Sequence, residues 1–335
     1  MSKTGSAEAL AKFEENAKRP FGMRDKIGYA AGDFANDLTF VIAAMFMMKF
    51  YTDVMDVSAA IVGVMMMAAK VVDAFTDVAM GQICDRSGYT AKGKFAPWIR
   101  RFAGPVAVAS FLIFAPYFAD KPMGFKIFWM FFTYLLWGSV FYTGINIPYG
   151  SMASAISGDP RERASLSNWR TIGASLAGMV IGVILPLFVY EMDVNGNMIL
   201  SGTRVAIAAL LCSIGSVICY LLCYHLVTER VKVAQKTEKF SLKGLLIGLG
   251  KNKALIGIVL ASVCMLLVQL TSSNMTGYVF PNYFKNTAAQ SAAGAVGIAI
   301  TFLCATFTVK LSQKFGRKEL AIAASVFGAV VYVIA

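Results

Sequence analysis

Nine apolar stretches punctuate this chain, at about 27–50, 57–83, 102–119, 124–150, 160–190, 203–225, 254–281, 290–309 and 319–335. Each is long enough to cross a ~30 Å hydrocarbon core at the helical rise of about 1.5 Å per residue. Polar connections separate them, so the pattern predicts an all-α polytopic membrane protein. Some ends are marked. Asp159-Pro160-Arg161-Glu162 offers an N-cap, a proline at N1 and a glutamate at N3, which predicts that the fifth span starts there. Asn274, Gly277 and Pro281 predict that the seventh bends or unwinds toward its end.

Composition agrees, with 57% hydrophobic residues, 15% charged residues and a mean hydropathy of +0.63. The net charge of +12 is high enough for a nucleic-acid-binding protein, but the basic residues fall between the apolar spans. Alternate connections hold 24 of the 31 lysines and arginines, counting the N-terminal segment. This places the N-terminus in the cytoplasm by the positive-inside rule. The expected organisation is a cytoplasmic segment 1–26, a six-helix bundle 27–225, a central cytoplasmic loop 226–253 and an incomplete second bundle 254–335. Residues 1–26 contain no apolar h-region, so the first span is expected to direct insertion itself. Three further helices are expected if the second half repeats the first. A faint echo supports a repeat: Gly81 to Gly88 and Lys314 to Lys318 are both basic, glycine-containing connections. The six cysteines show no CxxC or metal spacing and are expected to be small buried hydrophobes.

The second span carries Lys70, Asp73 and Asp77. A charge at a helix centre costs about 2.5–3.5 kcal/mol on insertion scales, so such residues face a bundle interior or a watery cavity. The spacing i, i+3, i+7 puts all three on one face. Two carboxylates one turn apart do not readily both stay ionised in low dielectric, so the pair suits loading and releasing a proton. With Thr76 and Thr143 adding neutral oxygens, it also suits sodium. The alternative is a structural ion pair with Lys70. Asp37 lies eleven residues beyond Lys26, hence ~16 Å deep, and Arg170 is ten residues past Pro160, roughly 15 Å deep. Substrate sites of transporters sit near that midplane. A carboxylate there accepts hydroxyl donors of a polar ligand, or alternatively pairs with Arg170 or Lys70. Asp33, one turn nearer the cytoplasm, is a gating or capping candidate. Tyr142, Asn146 and Tyr149 share a helix face, an aromatic–amide–aromatic stripe that suits a ring-shaped polar ligand or, alternatively, helix packing. Asp85 and Arg86 are inner-gate candidates.

These residues sit in longer runs: Tyr29-Ala-Ala-Gly-Asp33-Phe-Ala-Asn36-Asp37, Phe50-Tyr51-Thr52-Asp53, Asp73-Ala-Phe-Thr-Asp77, Gly93-Lys94-Phe95-Ala-Pro97-Trp98, Asn146-Ile-Pro148-Tyr149-Gly-Ser and Arg161-Glu-Arg163. Together they resemble the major facilitator superfamily, in its branch of glycoside–pentoside–hexuronide:cation symporters typified by the melibiose permease. The resemblance implies the major facilitator fold, with two six-helix bundles of which about nine of twelve helices are present here. It also implies a central sugar site and cation-coupled alternating access in the cytoplasmic membrane. Asp73, Asp77 and Thr143 match the family's cation site. Asp37 matches its acidic sugar anchor, with Asn36 beside it. Arg170 matches its arginine, and Tyr142 its aromatic at the site. Thr76 stands where the melibiose permease has an asparagine ligand, Asn146 replaces an aspartate, and Gly150 replaces a sugar-stacking tryptophan. The Asn-Ile-Pro-Tyr-Gly-Ser run is closer to the glucuronide and xyloside transporters.

The expected function is therefore symport of a glycoside, pentoside or hexuronide with a proton, or with sodium at Asp73 and Asp77. The alternative is a same-fold carrier of a lysophospholipid or organic acid. No HExxH, nucleophile elbow or metal spacing is present in the sequence, so an enzyme is not expected. Nor is a cofactor, a nucleic-acid partner or a further metal. The partners expected are a small sugar, a monovalent cation and the bilayer, around a monomer.

Overall fold

The structure is a computed structural model that describes residues 3–193, 197–232 and 252–334. Helix α1 (Lys3–Ala17) precedes the apolar spans. Then follow α2 (Met23–Lys49), α3 (Ala59–Arg86), α4 (Ala96–Ile113), α5 (Met123–Leu135), α6 (Thr143–Ile156), α7 (Pro160–Met179) and the short α8 (Leu185–Val189). After a small antiparallel hairpin, β1 (Tyr190–Met192) with β2 (Met198–Leu200), come α9 (Gly202–Leu226), α10 (Lys253–Tyr278), α11 (Thr287–Phe315) and α12 (Arg317–Ile334). Every apolar stretch read from the sequence is thus a helix. By length and hydropathy, six helical rods among the described residues suffice to cross a membrane: Met23–Val54, Ala59–Arg86, Met123–Ile156, Pro160–Val189, Gly202–Leu226 and Lys253–Tyr283.

Two boundaries behave as expected. α7 begins at Pro160, and Asp159 accepts the Arg161 N–H at 2.8 Å as its N-cap. The seventh span leaves α-geometry in a π-helical turn, Val279–Tyr283, around Pro281. Others differ. The third helix starts at Ala96 rather than about 102, because Arg100 and Arg101 are helical and lay their guanidinium groups over Tyr224 and Trp98. The 1–26 segment holds a docked helix: Phe13 of α1 is buried against Tyr89, and Asn16 donates to the Ala91 carbonyl at 2.8 Å. The two echoing connections are unlike in shape. Gly81 to Arg86 remain in α3, whereas Gly316 alone separates α11 from α12. Cys264 and Cys304 are exposed rather than buried. Of the central loop 226–253, residues 233–251 lie outside the described ones.

Helix α2 is the hub. It packs along α7 and α9, with α4 behind α9, α6 against α4, and α3 along the α5–α6 rod. At the end of α2 away from the N-terminus it meets α10. Lys49, 1% exposed, pairs with Asp53 at 2.8 Å, donates to Asn282 Oδ1 at 3.1 Å and lies 4.8 Å from the Tyr278 ring centre. Gly277 permits this approach, since a β-carbon there would stand 3.2 Å from the Met45 carbonyl oxygen.

At the opposite, basic end, Glu229 closes the bundle. Its carboxylate accepts the backbone N–H groups of Lys94 (2.7 Å), Phe95 (2.8 Å) and Ala96 (2.7 Å) at the start of α4. Carboxylates are favoured at helix N-termini by these free donors and by the helix dipole. Gly93 (φ +113°) makes room, because any β-carbon there would overlap the carboxylate. Burial pushes the Glu229 carboxyl up to about 6, against the opposing pull of the three N–H donors and Lys94. A raised carboxyl means that between pH ~4.5 and ~6 the folded state holds a proton that the unfolded state has lost. Unfolding free energy should therefore fall by about 2 kcal/mol as pH rises through that window. Thermal melts of the purified protein across pH 4–8 should show this slope, and Glu229→Gln should remove it. Glu229→Ala should lower stability by about 1–3 kcal/mol or more by orphaning buried donors. An unchanged melt in the alanine variant would contradict this role.

Candidate cation and sugar site

The α5 and α6 helices are fused through a π-helical stretch, Leu136–Tyr142, into one rod that lies along α3. This puts two hydroxyls one turn apart opposite two carboxylates one turn apart. Ser139 donates to Asp73 Oδ1 at 2.5 Å, and Thr143 donates to Asp77 Oδ1 at 2.7 Å. Lys70 Nζ completes the set at 2.9 Å from Asp73 Oδ2. A cavity of about 120 Å³ opens here, lined by Asp73, Asp77, Thr143, Tyr142 and Asn146 together with Lys70, Phe40 and neighbours from the π stretch. At roughly 30 Å³ per water it has room for an ion and a few waters. Tyr142 stacks on Phe40 at 5.7 Å and leans on Trp137 at 5.5 Å, giving the cavity an aromatic wall.

Thr76 does not join this group. Its hydroxyl donates back to the carbonyls of Val72 (3.3 Å) and Asp73 (3.2 Å) on its own helix, the common fate of threonine inside a helix. Ser139 occupies the place expected of it, and sequence reasoning missed it: a serine in an apolar run has many packing roles. The only signal was its i, i+4 spacing with Thr143.

On α2, the alternative of an Asp37 ion pair with Arg170 or Lys70 does not form; another pair does. Arg170 Nε donates to Asp33 Oδ1 at 2.8 Å, and the guanidinium lies 5.6 Å from the Tyr149 ring centre. Asp33 is one turn closer to the Arg170 level of α7, so it takes the partner. Asp37 remains half-buried one turn from Phe40. Asn36 is buried and accepts the Tyr220 hydroxyl at 2.8 Å, which aims it at α9. Tyr149 is fully buried, donates to the Tyr29 carbonyl at 2.6 Å and stacks on the Tyr29 ring at 4.6 Å. It is a packing anchor for α2 and α6 and supports Arg170 from below. Asp85 and Arg86 sit at the basic end of α3, where the Asp85 carbonyl accepts Lys94 Nζ at 2.9 Å. Among the described residues, no group of three or more His, Cys, Asp and Glu is placed to hold a metal ion.

Residues 28–335 match the family described as MFS/sugar transport protein. The chain belongs to that family. Its members are transporters rather than enzymes, and the resemblance read from the helix motifs holds. The chain is 31% identical over 313 residues to an uncharacterized symporter of Bacillus subtilis, YnaJ, covering 92% of this chain and 65% of that protein. It is 29% identical over 297 residues to the isoprimeverose transporter of Lactiplantibacillus pentosus, covering 88% of this chain and 60% of the relative. It is 31% identical over 246 residues to the glucuronide carrier protein homolog of Escherichia coli, covering 73% and 51%. The chain thus spans about half to two thirds of the length of these relatives. Family membership and the six long apolar rods make this MFS/sugar transport protein a multi-pass membrane protein.

Proposed function

We propose that the protein symports a glycoside, pentoside or hexuronide with a cation, a proton in preference to sodium, by alternating access across the cytoplasmic membrane. The observation that carries this reading is the paired ladder between α3 and the α5–α6 rod, Asp73 with Ser139 and Asp77 with Thr143, beside a polar cavity. Titratable pairs at membrane depth suit stoichiometric coupling better than conduction. Asp73, Asp77 and Thr143 are the cation-coupling residues. Asp37, Asn146 and Tyr142 face the sugar, and Arg170 is held for it by Asp33. The preference for a proton rests on Thr76, whose hydroxyl is spent on its own backbone, and on the excess, among the described residues, of Asp33, Asp37, Asp73 and Asp77 over Lys70 and Arg170.

The basic end of the bundle faces the cytoplasm on this reading, with residues 27–225 forming one rocking unit and 254–335 belonging to the other. The Lys49, Asp53, Tyr278 and Asn282 cluster then closes the outer side and must separate for the sugar to arrive. A lysophospholipid or organic acid suits this lining less well, since its carboxylates and amide offer hydroxyl-binding groups rather than an apolar trough. Sugar counterflow and uphill uptake in right-side-out vesicles with an imposed ion gradient test the proposal. Gradient-driven accumulation of at least one glycoside is expected. Exchange of none by a folded, inserted protein would contradict it.

A further inference from the structure

We infer that Gln290 and Ser291, on the buried face of α11, form a built-in spring that drives the outer side of the protein open; this rests on the alternating-access reading above. Along the first turns of α11, Thr287, Gln290 and Ser291 are buried, while Ala288, Ala292, Ala293 and Val296 are exposed. With Gly294, the three buried residues form one helical face at spacings of three and four. The helix packs on the first bundle, against α7, the π-helical turn Val180–Ile184 and α8. Gly294 marks the close approach, since a β-carbon there would stand 2.9 Å from the Gly182 carbonyl oxygen. This face is therefore a contact between the two units that part during alternating access. Because α11 begins soon after Asn282, it lies on the same side as the Lys49 cluster.

The two parts of this outer contact differ in their chemistry. Around Lys49 the polar groups answer one another. Lys49 pairs with Asp53 and donates to Asn282, the Thr52 and Tyr278 hydroxyls lie 3.1 Å apart, and the Tyr190 hydroxyl donates to the Gly277 carbonyl at 3.1 Å. On α11 the reverse holds. The amide nitrogen and oxygen of Gln290 and the hydroxyl of Ser291 have no hydrogen-bond partner among the described residues and expose essentially no surface. The described residues themselves seal these atoms, so neither water nor further chain reaches them in this state. A buried donor or acceptor without a partner costs its desolvation with nothing in return. Parting the bundles wets the face and restores those hydrogen bonds to water. The closed arrangement thus carries a cost that the open one sheds, and one such group shifts a two-state equilibrium by roughly tenfold or more. The Lys49 cluster holds the outer side shut, and the Gln290 face works against it, which keeps both states within reach.

A thiol on this face reads how often it opens. In the full-length protein, in right-side-out vesicles, Thr287→Cys is labelled by a membrane-impermeant maleimide, and the rate is taken over that of the protein without this substitution. Adding Gln290→Leu removes two orphaned atoms and should slow labelling tenfold or more. Ser291→Ala, which removes only a hydroxyl and adds no volume, should slow it too, and decides the matter if the leucine variant fails to fold. Gly294→Ala should speed labelling tenfold or more by pressing on the Gly182 carbonyl. Unchanged or faster labelling in a folded Gln290→Leu protein overturns the inference. So does a higher melting temperature without slower labelling, because the orphaned groups then burden the whole fold and not the closed state. Absence of labelling in every variant, Gly294→Ala included, overturns it as well. Labelling needs no sugar, so counterflow in the same vesicles reports on the symport reading separately.

Discussion

Replacing Asp73 or Asp77 by asparagine is expected to abolish uphill accumulation of the sugar while sparing exchange down its gradient. Each variant removes one of two carboxylates that face the same cavity, but leaves Asp37, Asn146 and Tyr142 in place. The hydrogen bonds from Ser139 to Asp73 and from Thr143 to Asp77 are side chain to side chain, so an asparagine oxygen still accepts them and folding should survive. What is lost is the site for a positive charge. Asp77→Asn should be the cleaner of the two, because Asp73→Asn also strips Lys70 of its partner at 2.9 Å. The measurement is the ratio of internal to external sugar under an imposed ion gradient, alongside counterflow in the same vesicles. Normal gradient-driven accumulation in either variant would remove that residue from coupling.

Asp37→Ala should cost most of the sugar affinity without touching the cation ladder. A hydrogen bond to a charged group is worth about 1.5–3 kcal/mol, so losing one hydroxyl contact weakens binding by ten- to a hundredfold or more. The structure strengthens this expectation by giving Arg170 to Asp33, which leaves Asp37 free for a ligand. Binding of a radiolabelled or fluorescent glycoside reports the loss. Unchanged affinity in a correctly folded variant would move the sugar anchor elsewhere, with Asp33 the next residue to try.

Much of this architecture was legible from the chain. Among the described residues, the helices at the nine apolar stretches follow from apolar length, and the start of α7 follows from Asp159-Pro160, since a proline and an N-cap act locally. The carboxylates at depth were legible because charge in hydrocarbon is too expensive to be accidental. What escaped was whatever depends on how one helix is turned against another. A helical wheel puts Thr76 beside Asp73 and Asp77, but cannot say that its hydroxyl turns to the carbonyls of Val72 and Asp73. The π-helical stretch Leu136–Tyr142 shifts the register of the α5–α6 rod and brings Ser139 to Asp73; no periodicity announces such a turn. The choice of Asp33 over Asp37 by Arg170 is set by the packing of α7 on α2. Glu229 is an acid in a basic connection, and only the fold brings it to the three N–H groups at the start of α4.

Proton-coupled sugar symport through the Asp73 and Asp77 pair can be read with a pH electrode. Lightly buffered, de-energised cells expressing the full-length protein receive a pulse of an accepted glycoside, with and without sodium. A transient alkalinisation of the medium is expected that does not depend on sodium and is absent in Asp77→Asn. Strict sodium dependence of transport at constant pH, with no sugar-induced alkalinisation, would contradict it.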